Sequence, residues 1–213
     1  MASVWELAAA DVLPQLDAGL AGYFGALPDG KVGLGRGSFQ QVGTPRRWLW
    51  PVLWLLAREG IVFPVWQQRV PFEVCNRPGH DRRGRATLSA TRTFHFRNGS
   101  KVMPDSIAVE ADGSLTDCLG KHGWLAVSLT VEARDGAMRL TGSRVRLRVP
   151  WGWLRIPAAV SPGVQITERF DAETGRQQVS MRLSQPQLGL LYEYRGDFGY
   201  RWADSPDSPD SPD

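Results

Sequence analysis

From Val65 almost to the C-terminus, apolar residues recur at every second position, a period that fits strands and no helix. Trp66, Gln68, Val70, Phe72 and Val74 share one parity. Ala86, Leu88, Ala90, Arg92, Phe94 and Phe96 share another, opposite Thr87, Ser89, Thr91, Thr93 and His95. Met103, Asp105, Ile107, Val109 and Ala111 follow, then Leu125 to Ala133 in alternation. Met138 and Leu140 precede a parity switch to Val145, Leu147 and Val149, which predicts a bulge at Gly142. Val164, Ile166, Glu168 and Phe170, then Gln177, Val179, Met181 and Leu183, then Leu188, Leu190, Tyr192, Tyr194 and Phe198 complete the pattern. Asn98-Gly99, Asp112-Gly113 and Asp135-Gly136 are turn pairs between these runs. The chain therefore reads as mainly β (α+β). About eight strands run up and down in a curved antiparallel meander, half-closed or closed into a barrel.

The N-terminal part reads differently. Residues 4–24 carry apolar positions at helical spacing, with Asp11 as a cap and Pro14 in the first turn of the second segment. Arg46 to Arg58 reads as a second short helix, capped by Thr44 and apolar nearly all round. Such a helix is buried or lies against lipid, and the expected arrangement is a plug on the open face of the sheet. Gly33-x-Gly35-x-Gly37 lacks the GxGxxG spacing and the preceding buried strand of a nucleotide loop, so it reads as an ordinary loop or short edge strand. Residues 76–85 read as a basic loop. One domain spans 1–203, with helices in 4–58 and the sheet in 61–202. The Asp-Ser-Pro repeat of 204–213 is too poor in apolar residues to fold.

Parity sets Gln68, Arg92, Asp105, Glu168 and Gln177 among apolar neighbours, with Tyr192 and Tyr194 close by in the pattern. A guanidinium stays charged when buried and needs an anion, so Arg92 is expected to pair with Glu168 or Asp105. The arrangement is either a structural ion pair or the polar end of a small-ligand pocket. No nucleophile and base stand at a recognisable spacing, there is no G-x-S-x-G, and His80, His95 and His122 read as surface residues. No metal motif and no nucleic-acid motif is present.

Composition narrows the partners. Nine Trp suggest a large aromatic core or a surface that meets apolar ligands or lipid. The net charge is +3, but the last ten residues hold four of the acids, which leaves the body at +7. Arg144, Arg146 and Arg148 line one strand face, either solvated or tracking anionic lipid. Cys75 and Cys118 read as free buried thiols in a reducing compartment. The N-terminus shows no export signal, and no apolar run approaches the ~20 residues of a membrane span, so a cytoplasmic location is expected.

Several of these residues carry a resemblance. They are Gly33-x-Gly35-x-Gly37-x-Phe39, the helix Trp48 to Leu56, Arg92-x-Phe94, Glu168-Arg169-Phe170, Val179, Leu183-x-x-Pro186-x-Leu188-Gly189 and Tyr192-x-Tyr194-x-Gly196. Over roughly Ala21 to Trp202 the chain resembles the bacterial family called domain of unknown function 4166. Members of that family occur alone or behind a saccharopine-dehydrogenase-like, NAD-binding domain. The resemblance implies an accessory role beside an oxidoreductase and lends no catalytic residues. This chain has no dinucleotide-binding domain, so no cofactor is expected. The combined expectation is a non-catalytic domain that holds an apolar or amphipathic, lipid-like small molecule. Its site would comprise Arg92, Glu168, Asp105, Gln68, Tyr192 and Tyr194. The alternative is an interaction module that docks on a partner oxidoreductase or an anionic membrane.

Overall fold

The computed structural model describes residues 2–157 and 160–205; the greater part of the Asp-Ser-Pro tail lies outside them. Eleven antiparallel strands form one sheet: β1 Lys31–Gly43, β2 Trp66–His80, β3 Ala86–Phe96, β4 Gly99–Val109, β5 Leu115–Leu119, β6 Leu125–Arg134, β7 Ala137–Val149, β8 Gly152–Arg155, β9 Gly163–Asp171, β10 Arg176–Gln185 and β11 Gly189–Asp204. Each strand pairs with the next except β8, which pairs with β7 alone; β9 pairs with β7 instead, and β1 pairs with β11. Ten strands therefore close into a barrel, and β8 is a short flap on the end of β7. The predicted parity switch is real: Leu129 pairs with Gly142 and Ser128 with Arg144, which leaves Ser143 as the extra residue.

Two of the strands that raise the count from eight were hidden by composition. The glycine run is no loop but the middle of β1, hydrogen-bonded on both sides. A Cβ at Gly33 would fall on the Tyr200 ring, one at Gly35 on Val74 and Phe198, and one at Gly37 2.0 Å from the Asp197 carbonyl oxygen. The missing side chains let the aromatics of β11 lean across β1, an arrangement that restores burial over glycine. Gly37→Ala meets backbone rather than a movable side chain and is expected to cost about 1–3 kcal/mol, read from urea unfolding. The second hidden strand, β5, has only five residues between two turns.

The expected basic loop 76–85 is also mostly strand. β2 runs to His80, and only Asp81 to Arg85 form the turn. Pro78 is tolerated because β1 stops pairing at Asn76, so its missing N–H faces no neighbour.

Helices close both mouths of the barrel. Residues 4–24 break into α1 Val4–Ala8, a 3-10 turn Leu13–Gln15 and α2 Ala18–Phe24, rather than continuing as the helical stretch the spacing predicts. Ser3 and Glu6 form a capping box, and each also reaches α2's end: Ser3 Oγ donates to the Phe24 carbonyl, and Glu6 Oε1 accepts from Ala26 N. Trp5, Leu20 and Phe24 are buried in this mouth with Leu115, Met138 and Leu140. At the other mouth, a turn at Arg47–Leu49 leads into α3 Trp50–Arg58. Leu53 is buried in one apolar cluster with Phe39, Phe63, Phe94 and Tyr192, so the plug is as expected. Its outward positions Val52 and Leu55 are 58% and 60% exposed. Cys75 and Cys118 are free and half-buried on the outer wall.

Candidate functional site

Between the two apolar plugs lies a belt of ionisable side chains. On β3, β4 and β5 the partners Ala90↔Asp105 and Ile107↔Asp117 set Arg92, Asp105 and Asp117 as diagonal neighbours in a staircase. Arg92 Nη1 donates to Asp105 Oδ1 in the pairing the alternation predicts. Glu168 comes from β9, across the lumen, and accepts from Gln177 Nε2 on β10. The second expected partner of Arg92 is thus held by an amide, although the guanidinium still acts on it electrostatically.

Arg92, Asp105, Asp117 and Glu168 line an interior cavity of about 50 Å³ together with Asn76, Tyr23 and Tyr194. Its other walls are Phe39, Phe72 and Phe198 with aliphatic neighbours, and Trp5, whose buried Nε1 donor also has no partner in the protein. Two oxygens in it have no hydrogen-bond partner in the protein: Asn76 Oδ1, on a residue only 2% exposed, and Asp117 Oδ1. A buried acceptor left alone costs on the order of 1–3 kcal/mol, so such groups ordinarily hold water or a ligand. The volume suits a few ordered waters or a small polar group.

The charge balance is the chemical content of the site. One guanidinium faces three carboxyls. Burial opposes the Arg92 charge, but Asp105 more than restores it, and its pKa is raised. Burial raises Asp105, while Arg92 pulls it back. Asp117 has no such partner. Burial and then the Asp105 charge push it to about 8. Burial raises Glu168 to about 7 against the pull of Arg92 and the Gln177 hydrogen bond. Tyr194 is pushed up to about 12, chiefly by burial. Near neutral pH the lumen therefore holds one closed ion pair and two carboxyls poised to exchange protons.

Of the expected site residues, Arg92, Asp105, Glu168 and Tyr194 come together. Tyr192 is fully buried but belongs to the aromatic packing under α3 and does not line the cavity. Gln68 is exposed, because Arg69 adopts a left-handed backbone (φ 53°) that breaks the alternation of β2 just before Val70. Asp117 and Asn76 were missed. Leu115-Thr-Asp117-Cys-Leu119 does alternate, and that pattern was the available signal for Asp117. His80 and His122 are exposed and His95 faces outward; His95 Nδ1 meets Ser100 Oγ at 2.8 Å and His122 Nδ1 meets Glu59 Oε2 at 2.9 Å. Among the described residues no group of three His, Cys, Asp or Glu is arranged to hold a metal, and no helix is long and apolar enough to cross a membrane.

The family described as domain of unknown function (DUF4166) matches residues 16–198. The uncharacterized protein YndH of Bacillus subtilis (strain 168) is 26% identical over 132 residues, 61% of this chain. The chain spans 64% of the length of that relative.

Proposed function

The chain belongs to the DUF4166 family, and from that premise we propose that its barrel is a binding domain for a small amphipathic molecule whose polar head carries hydrogen-bond donors. The observation behind this reading is the pair of unpartnered acceptors, Asn76 Oδ1 and Asp117 Oδ1, in one lumen with an excess of carboxyls. An anionic head would meet a guanidinium already engaged by Asp105 and two further acids, so an amine, amide or hydroxyl head fits better than a carboxylate. The head occupies the belt, and the apolar part packs on Phe39, Phe72 and Phe198 as the plug at one mouth gives way, since about 50 Å³ does not hold a chain. Asp117 and Glu168 act as acceptors, and Arg92 fixes Asp105 beside them.

Thermal-shift titrations at pH 8 with short alkylamines, alkanols and alkanoates test this, together with native mass spectrometry of protein purified without detergent. Donor-bearing heads should stabilise the fold and alkanoates should not. Glu168→Gln removes a charge-assisted bond while keeping shape, and should weaken the amine by at least about tenfold at pH 8 without destabilising the free protein. A bare mass combined with no shift from any amine or alkanol would remove the reading.

A further inference from the structure

We propose that the mouth plugged by α3 docks on the surface of an anionic lipid bilayer. The inference rests on where side chains outside the lumen fall, independently of what the lumen binds.

The up-and-down topology sends every second connection to the same end of the barrel. At the α3 end lie residues 44–65, 97–98, 120–124, 150–157, 160–162 and 186–188. Seven of the nine Trp are there or on the adjoining strand ends; the other two, Trp5 and Trp202, are at the opposite end. The exposed ones come from three connections: Trp48 and Trp54 beside the plug with Trp66 where that connection enters β2, Trp124 before β6, and Trp151 and Trp153 around the β8 flap. Trp151 is 85% exposed. The outward face of α3 adds Val52 and Leu55. An apolar surface this broad on a folded domain marks a contact site.

Charge is segregated along the same axis. Among the described residues of the α3-end connections, Glu59 is the one carboxylate, and it faces His122. Arg46, Arg47, Arg58, Arg97 and Lys121 are the cations there, while Arg155 lies back along the wall, paired with Arg146. At the other end, residues 2–30 carry Glu6, Asp11, Asp17 and Asp29 and no Lys or Arg, and the connections there add Asp81, Glu110, Asp112, Asp135 and Glu173 against Arg82, Arg83 and Arg85. Arg58 lies over the Trp54 ring at 4.9 Å and Arg47 over Trp50 at 5.6 Å, so cation and indole occupy one surface. Tryptophan beside Arg and Lys, around an apolar helix with no polar outer face, suits the headgroup layer of a bilayer. An anionic leaflet supplies the complementary charge, and the acidic end then faces away from it. A protein partner would use an apolar patch as well, but the indoles of three separate connections stand around a mouth rather than forming a groove.

Co-sedimentation with vesicles decides it. The wild type should bind phosphatidylcholine vesicles containing about one-third phosphatidylglycerol, and bind pure phosphatidylcholine at least about tenfold more weakly; high salt should act like the neutral lipid. Each cation at such a leaflet is worth roughly fivefold, so Arg47→Glu, Arg58→Glu and Lys121→Glu together should cost at least about 100-fold. Trp48→Ser with Trp54→Ser should cost at least about tenfold. Arg82→Glu with Arg83→Glu, at the far end, should change nothing. All these side chains are exposed, so unchanged unfolding curves accompany each result. No binding to the anionic vesicles at low salt, or equal loss in the far-end variant, overturns the proposal.

Discussion

Asp117→Asn is expected to stabilise the barrel by about 2–4 kcal/mol at pH 8, raising the unfolding temperature by roughly 5–10 °C. Removal of a charge from a protein usually costs stability or does nothing. Here the charge stands beside Asp105, its Oδ1 has no donor, and its pKa is raised to about 8 by burial. The sign follows from proton binding. Above its unfolded value near 4 the folded carboxyl holds more protons than the unfolded one, so stability falls as pH rises towards the folded value and then levels off. Glu168, raised to about 7, adds a second decline over the lower part of that range. The wild type should therefore unfold at lower urea at pH 8 than at pH 5, and Asp117→Asn should flatten most of that slope. A variant no more stable than wild type at pH 8, with the slope intact, would mean that a bound donor already satisfies Asp117 in the isolated protein. That donor would then be found by native mass spectrometry.

Arg92→Met is expected to do the reverse, with a loss of about 3–5 kcal/mol at neutral pH. The Met side chain fills the space, so the loss is electrostatic: Asp105, Asp117 and Glu168 would share one lumen with no cation. The loss should shrink at pH 5, where the three acids take up protons in the folded state at little cost. Adding Asp105→Leu should recover most of the stability, because a buried pair replaced on both sides by apolar groups is often neutral or better. If the double variant is as unstable as the single one, Arg92 holds the fold through packing of its stem rather than through charge.

The alternation carried the architecture because a side-chain period of two is dictated by the pleat, and nearly every strand in this barrel buries one face. The Gly142 switch could be read for the same reason. β1 could not, since its glycines imitate a loop and their purpose is visible only once Phe198 and Tyr200 are beside them. Gln68 was misplaced by a single left-handed residue, Arg69, of a type that does not announce such a conformation. The Arg92–Asp105 pair was legible because both residues interrupt otherwise apolar faces. Asp117 escaped because five residues give alternation too little length to stand out, and Asn76 because its neighbours Arg77, Pro78 and Gly79 look like a turn. The tryptophans were legible as a number but not as a rim, since their gathering at one mouth is a property of the topology.

The pairing of β1 with β11 has a consequence for how the chain is made. Lys31 is matched with Asp204, and every rung of this seam joins residues about 150 or more positions apart. During synthesis the first strand leaves the ribosome long before its partner exists, with one ladder of N–H and C=O groups unclaimed. β2 to β10 can zip in order, with β9 joining β7 past the β8 flap, but the cylinder cannot shut until the final strand emerges. Until then the nascent sheet carries two open edges that are candidates for pairing with another chain. Seams of such high sequence separation form slowly, so the step most exposed to aggregation is the last one.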